Sequence, residues 1–277
     1  MKFNERKTHK LVSLMSDQLA DPNYWSNKRT VKRAAKLAIN GADPYAVDKD
    51  GFSIMDNLLA FEHFGLALKV IKKHSDLSFK GRKGESLLMQ VIECHNITNA
   101  SSSIAKEFDL LLEYLINNPD NLNDRDRRGD SPAVYSIMHG TPDILRKLLE
   151  KGVDANEVNS GLSLIHLAAS QGMSKCIQLL MDFGADISTP CKGYLEYTPI
   201  MYAAASGDPN TIKVVADLGG NPLEKSNGKD LLSICEDSDH SGHEVEAYDL
   251  IKSLLEGALV DDYRLQIKDD LTSKDFK

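Results

Sequence analysis

The chain has 277 residues, of which 42% are hydrophobic and 27% are charged, a composition typical of a folded, soluble protein. Its formal net charge of −8 makes nucleic acid an improbable partner, and no apolar run approaches the roughly 18 residues of a membrane span. The four cysteines are far apart and form no CxxC pair, so we expect reduced thiols and a cytoplasmic location.

The first 40 residues are basic, with nine lysine or arginine residues against three acidic ones. Leu11, Leu14, Met15 and Leu19 recur at helical spacing and predict a first helix, and a second helix is expected around residues 30–39. No continuous apolar stretch follows the basic start, so a cleaved secretory signal is not expected.

Six similar units follow, and their aligned turn positions are residues 51, 84, 129, 161, 196 and 228. The clearest unit contains Ser-Leu-Ile-His-Leu-Ala-Ala at residues 163–169, then Gly172, an apolar second segment and Gly184-Ala185-Asp186. A serine or threonine before each apolar run is typical of a helix N-cap, and the glycines suit a tight turn and a helix end. One such helical pair cannot bury its own apolar face, so neighbouring units must stack.

This pattern resembles the ankyrin repeat, whose period is about 33 residues around a Thr-Pro-Leu-His-x-Ala core. The resemblance covers roughly residues 5–257, and Glu196 departs from it where the family has glycine. It implies an all-α solenoid of stacked helix-turn-helix units with finger loops. In that organisation, residues 1–49 form a divergent N-terminal capping repeat, residues 50–257 form six repeats, and residues 258–277 form a C-terminal capping segment or a flexible tail.

Three insertions interrupt the repeats, near residues 94–106, 189–195 and 236–244. The first and third are expected between the two helices of a repeat, and the second lengthens a finger loop. After the last repeat, residues 260–271 carry an apolar spacing that fits a helical stripe, whereas Tyr263, Leu265 and Ile267 alternate as in a short strand. Both alternatives, and a disordered acidic tail, remain open from the sequence.

The sequence contains no recognisable catalytic motif, and we expect neither enzyme activity nor a cofactor. His166 is expected to be structural, because the resemblance implies hydrogen bonds from its imidazole to backbone and to Ser163. Cys191 lies in a loop beside Lys192 and is expected to be accessible, although no histidine or aspartate partner is placed by a motif. A cluster of polar residues offers a weak metal-site alternative: Asp237, Asp239, His240, His243 and Glu244.

Proteins of the family bind partner proteins on the concave face formed by finger loops and first helices. Carried over position by position, the resemblance places several of this chain's first-helix residues on the solvent side, including Asn57 and Gln90. Tyrosine is common in binding hot spots, and exposed apolar residues at one face favour a partner site. The predicted partner-binding residues are Tyr135, Met138, His139, Leu167, Gln171, Tyr194 and Tyr202, with Arg125 and Arg127 steering an acidic segment.

The leading hypothesis is therefore a non-enzymatic protein–protein interaction module whose partner is another protein. One version is a bacterial effector that acts on a host protein in the host cytosol. A second version is an immunity protein or inhibitor that neutralises a toxin or enzyme, with the acidic C-terminal third covering a basic active site. The alternative from a different class is an enzyme or metal binder that uses residues 236–244.

Overall fold

A computed structural model of the chain describes residues 3–16, 28–74, 79–97, 102–192, 196–237 and 244–274. The chain divides into two compact units, an N-terminal unit over Met1–Lys151 and a C-terminal unit over Gly152–Lys277. Both are built almost entirely from short helices arranged in pairs. The fold class is all-α, as the repeat pattern predicts.

The N-terminal unit begins with the two helices that the apolar spacing predicts and continues with three further helical pairs. Its helices are α1 (Glu5–Ser16), α2 (Lys28–Ile39), α3 (Ile54–Ala60), α4 (Phe64–His74), α5 (Leu87–Glu93), α6 (Ser102–Ile116), α7 (Pro119–Leu122), α8 (Pro132–Met138) and α9 (Pro142–Glu150). A 3₁₀ helix over Cys94–Ile97 follows α5, so the first insertion lies between the two helices of a pair.

The C-terminal unit opens with a two-stranded hairpin and then repeats the helical pairing. Its elements are β1 (Val158–Asn159), β2 (Leu162–Ser163), α10 (Leu164–Ser170), α11 (Ser174–Asp182), α12 (Pro199–Ser206), α13 (Pro209–Asp217), α14 (Leu231–Glu236) and α15 (Glu244–Lys274). The strands pair antiparallel, with Val158 opposite Ser163. Ser160 and Gly161 connect them with φ of 51° and 88°, the two positive values that a type I′ turn requires.

The helices begin where the sequence places their caps. The Ser131 hydroxyl accepts a hydrogen bond from the Val134 amide at 3.2 Å, and Pro132 and Pro199 occupy the first turn, where a missing N–H costs nothing. Gly207 ends α12 in the left-handed region, with φ of 68°. Local sequence therefore sets both ends of these short helices.

Stacking within each unit buries the apolar stripes. In the N-terminal unit, α4 packs against α2 and α6, and α5 packs against α8. In the C-terminal unit, α12 packs against α10 and α14, while α13 packs against α11 and α15. Fully buried leucine and isoleucine side chains fill both cores, among them Leu58, Leu148, Ile177 and Leu180.

The C-terminal segment differs from one of the sequence alternatives. Helix α15 continues without interruption from Glu244 to Lys274, so the short strand predicted around Tyr263–Ile267 is wrong. The helical alternative fits better, since a helix that already packs against α13 and α14 extends at little cost per residue. Whether residues 258–277 act as a cap stays a prediction.

Candidate partner-binding surface

The predicted partner-binding residues lie in both units. In the N-terminal unit, the structure shows that only some of them are exposed. Tyr135 is only 3% exposed, so the expectation that it faces solvent is wrong. Met138 is 43% exposed and His139 is half-buried, with its ring 5.9 Å from that of Tyr135. Arg125 and Arg127 are exposed on the loop before α8, as predicted.

A shared position on the first helices explains the burial of Tyr135. Asn57, Gln90 and Tyr135 are each the fourth residue of α3, α5 and α8, and all three are buried. The Tyr135 hydroxyl donates to the Asp126 carboxylate at 3.1 Å, and a side chain at Gly81 would overlap Gln90. Finger loops therefore fold over this position and remove it from the solvent face.

In α10 and α12 of the C-terminal unit the equivalent position is half-buried, whereas in α14 it is Ile234, which is buried. Tyr202 and Leu167 are intermediate in exposure, whereas Gln171 is exposed at the end of α10. The Tyr202 hydroxyl lies 3.4 Å from the Cys191 sulfur, and burial followed by the Cys191 contact raises the pKa of Tyr202 above its usual value. Tyr194, the remaining predicted contact residue, lies outside the described residues.

Cys191 is only 3% exposed, so the expectation of an accessible thiol beside Lys192 is wrong. Its backbone amide donates to the Tyr197 carbonyl at 2.9 Å, which turns its side chain inward toward Tyr202. Cys176 is fully buried, as predicted, and burial raises the pKa of its thiol to about 11. Neither thiol has the exposure that a nucleophile needs.

Carboxylates buried inside the finger loops are the main feature that sequence reasoning missed. The Asp126 carboxylate accepts hydrogen bonds from the amides of Arg128 (2.8 Å) and Asp130 (2.9 Å) as well as from Tyr135. Burial tends to raise the pKa of Asp126, but these hydrogen bonds outweigh it and hold that pKa below its usual value. The sequence signal was present, since Asp-x-x-Gly-Asp and Asp-x-Asp-Gly at residues 126–130 and 48–51 are typical of such turns.

A second apolar surface lies away from the fingers in the N-terminal unit. A groove of about 790 Å³ is lined by residues of α2, α4 and α6 and by the α3–α4 turn, including Phe61, Leu66 and Leu110. Leu110 is 62% exposed and Phe61 is 40% exposed. Substitutions in this groove can therefore serve as controls for substitutions in the finger loops.

Where the structure describes the side chains of the candidate catalytic and metal-binding residues, their contacts are structural. His166 Nδ1 lies 2.7 Å from the Ser163 hydroxyl and accepts from the Ser163 amide at 3.3 Å, which confirms its predicted bonding, and burial lowers the pKa of its imidazole. Asp237 accepts from Lys229 at 2.6 Å, while Asp239, His240 and His243 lie outside the described residues. Within the described ranges, no three histidine, cysteine or carboxylate side chains are arranged to hold a metal ion.

A pH-dependent contribution to stability comes from the finger loop that follows α11. The Asp186 carboxylate accepts from the Thr189 hydroxyl and from the amide and hydroxyl of Ser188, both at 2.8 Å. The Thr189 hydroxyl, followed by Ser188, lowers the pKa of Asp186 to about 2. A folded-state pKa below the unfolded one means that this stabilisation is complete above about pH 5 and is lost as the pH falls toward 2.

We therefore expect Asp186→Asn to lower the free energy of unfolding at pH 6 by about 1 kcal/mol. Because Asp186 is exposed, solvent screening keeps this effect below the value that its pKa shift alone would give. Urea unfolding at pH 6, 4 and 2.5 should show this difference shrinking as Asp186 becomes protonated. Asp182→Asn, at an exposed position at the end of α11, is the control. A difference between Asp186→Asn and the parent that stays constant with pH would contradict the assignment.

Comparisons with known proteins agree with this architecture. The family profile described as ankyrin repeats (3 copies) matches residues 97–191 and 165–264. The chain is 32% identical over 107 residues to the "Ankyrin repeat, SAM and basic leucine zipper domain-containing protein 1" of Carollia perspicillata, covering 37% of this chain and 22% of that protein. The Mus musculus protein of the same name is 27% identical over 143 residues, covering 50% of this chain and 30% of that protein.

The chain thus spans less than a third of the length of these curated relatives. Among solved structures, the human ASB11 ankyrin repeat domain superposes with a TM-score of 0.58 at 15% identity, covering 90% of this chain and 98% of that one, which shows the shared fold. Among the described residues, each helix is too short or too polar to cross a bilayer. Ankyrin repeats are characteristic of protein–protein interaction modules and are typically non-enzymatic. Because the family profile matches well over half of its residues, the chain belongs to the ankyrin-repeat family.

Proposed function

We propose that this chain binds a partner protein through its finger loops and the exposed ends of its first helices. The observation that carries the proposal is the exposure of large apolar side chains there. In the N-terminal unit, Met138 at the end of α8 and Val47 and Phe52 in the first finger are between 40% and 51% exposed; in the C-terminal unit, Val158 in β1 is 51% exposed. Apolar side chains presented on otherwise polar loops favour a contact surface.

The finger loops are also ordered by their own hydrogen bonds in the absence of a partner. The Asp48 carboxylate accepts from the amides of Asp50 and Phe52, both at 3.0 Å, and Asp126 and Asp186 hold their own loops in a similar way. Loops that are already ordered lose less conformational entropy on binding than mobile loops. This supports the fingers as a preformed recognition surface.

Two biological roles use such a surface, and both belong to the proposal. One is an effector that engages a host protein, and the other is an inhibitor that covers a toxin or enzyme. The four cysteines, all of them described residues, form no disulfide and are buried, which supports action in a reducing compartment such as the cytoplasm. Identification of the captured partner distinguishes the two roles.

The proposal predicts that Met138→Asp reduces partner recovery at least about tenfold, because charge at an apolar contact carries a desolvation penalty. Val158→Asp, made separately, tests the C-terminal unit in the same way. The measurement is affinity capture from the source organism's lysate on immobilised parent and variant chains, quantified by mass spectrometry. The matched control is Leu110→Asp, which introduces the same charge into the groove beside α6. If Leu110→Asp loses the partner while the finger-side variant keeps it, the binding surface lies in that groove instead.

A further inference from the structure

The three finger loops of the N-terminal unit bury most of their carboxylates and expose their cations. These loops are residues 47–52, 80–85 and 124–130. Four of their carboxylates are buried: Asp48, Glu85, Asp126 and Asp130. Seven cations on the same loops are exposed, and together we call them the basic strip: Lys49, Lys80, Arg82, Lys83, Arg125, Arg127 and Arg128.

Hydrogen bonds to the backbone explain why the carboxylates point inward. Asp48 and Asp126 accept from amides of their own turns, and Glu85 accepts from the Lys83 amide at 2.6 Å. Such carboxylates are satisfied within the loop and present little surface to a ligand. Of the other two carboxylates in these loops, Asp124 is half-buried and pairs with Lys80, and Asp50 is exposed. The seven exposed cations therefore predominate on the solvent side of the fingers.

Direct contacts join the three fingers into one surface. The guanidinium of Arg82 lies 4.7 Å from the centroid of the Phe52 ring, which links the first and second fingers. Lys80 forms an ion pair with Asp124, and the Arg127 amide donates to the Lys83 carbonyl at 3.1 Å, which links the second and third. The basic strip is thus continuous across three repeats of the N-terminal unit.

Part of the strip has no carboxylate partner in the described structure. Arg128 bonds Asp130 at 2.8 Å, and Lys83 lies 3.5 Å from Glu93. Lys49, Arg82 and Arg127, by contrast, form no ion pair with any residue that the structure describes. These three cations can bind an incoming anion without first breaking an internal pair.

The corresponding loops of the C-terminal unit have the opposite balance. Residues 154–163, 186–197 and 221–230 contain three lysines and six acidic residues. The basic strip is therefore particular to the N-terminal unit and does not follow from the repeat pattern itself.

We propose that the basic strip binds an acidic, carboxylate-rich segment of a partner protein, with apolar side chains of that segment resting on Val47 and Phe52. The inference rests on the proposed function and names the chemistry of the partner. A peptide is favoured over nucleic acid because buried carboxylates lie beneath the strip and the whole chain carries −8, both of which oppose a polyphosphate. The carboxylates of a peptide, spaced by apolar residues, match the separate cations of the basic strip better than a continuous run of phosphates does.

The test measures fluorescence anisotropy of a labelled twelve-residue peptide of repeating Glu-Glu-Leu, titrated with the full chain at 50 mM NaCl. We expect saturable binding that weakens at least about fivefold at 300 mM NaCl, since exposed ion pairs are screened by salt. The double variant Arg82→Gln/Arg127→Gln should bind at least about tenfold more weakly. The control, Lys69→Gln/Lys73→Gln, removes two exposed cations of α4 and should change binding less than about twofold.

Lys49→Gln is a second variant, because Arg82 packs on Phe52 and its loss could disturb the loop. Among the described residues Lys49 packs on no aromatic ring, so Lys49→Gln should still weaken binding about threefold, with an unchanged melting temperature by circular dichroism. Equal effects of the strip and α4 variants would overturn the inference. So would preference for a twelve-nucleotide oligo(dT), which indicates a polyphosphate ligand, or salt-sensitive self-association in analytical ultracentrifugation, which indicates a second copy as the occupant.

Failure of this inference is distinguishable from failure of the proposed function. If Met138→Asp abolishes capture of a lysate partner but the acidic peptide neither binds nor competes with it, the finger-side surface stands and the acidic chemistry is wrong. If the peptide binds and competes while Leu110→Asp alone abolishes capture, the finger-side assignment fails instead.

Discussion

Tyr135→Ala is expected to lower the free energy of unfolding by about 3–5 kcal/mol, the cost typical of deleting a buried aromatic side chain. Tyr135 is 3% exposed within α8, beside α5, and its hydroxyl donates to Asp126 at 3.1 Å. The alanine leaves a cavity under the third finger and removes one of the hydrogen bonds that stabilise the buried Asp126 carboxylate. Urea unfolding followed by circular dichroism measures the loss.

Tyr135→Phe separates the two contributions, because it keeps the ring and removes the hydroxyl alone. Its expected cost is about 1.5–3 kcal/mol, the usual range for a hydrogen bond to a charged group. Both variants should also speed amide hydrogen exchange in residues 124–130, since the loop loses its anchor to α8. A cost below about 0.5 kcal/mol for Tyr135→Ala would show that the ring faces solvent after all and would return it to the partner-binding face.

The second large effect is expected for Leu148→Ala, at about 2–5 kcal/mol. Leu148 is fully buried in α9, on the stripe that it shares with Ile144 and Leu145. Its side chain cannot be replaced by water in an apolar interior, so the cost combines lost burial with a cavity. Hydrogen exchange measured by mass spectrometry reports the loss in the N-terminal unit separately from the C-terminal one.

Leu110→Ala is the matched control, because Leu110 is a leucine of the same unit that is 62% exposed on α6. It should change the free energy of unfolding by no more than about 0.5 kcal/mol, as is usual for surface positions. Similar losses for the two variants would mean that the described packing of α9 is wrong. A loss confined to Leu148→Ala supports the core of the N-terminal unit as described.

The distinction between the two tyrosine environments also bears on binding experiments. Tyr202 is half-buried and contacts Cys191, whereas Tyr135 is buried and hydrogen-bonded to Asp126. A double Tyr135/Tyr202 alanine variant would therefore lose partner binding partly through unfolding. Met138, Val158 and the unpaired cations of the basic strip are better probes, because their side chains are exposed.

Sequence alone determined the helical pairs of the repeats and the starts of helices such as α8 and α12. Caps such as Ser131, prolines at the first turn and glycines at helix ends act within three or four residues, so their consequences can be predicted from neighbouring positions. The bonding of His166 to Ser163 was implied by the resemblance to the ankyrin repeat, and the structure confirms it.

Only the tertiary structure decided which residues the first helices and fingers expose. Tyr135 is buried by a loop residue nine positions away, and Cys191 is turned inward against a tyrosine eleven positions away. The direction in which a finger folds depends on where its carboxylates find backbone amides, and helical periodicity carries no information about that choice. The predominance of cations on the solvent side of these loops has the same origin, because four of the six acidic residues of the loops are buried and all seven cations are exposed.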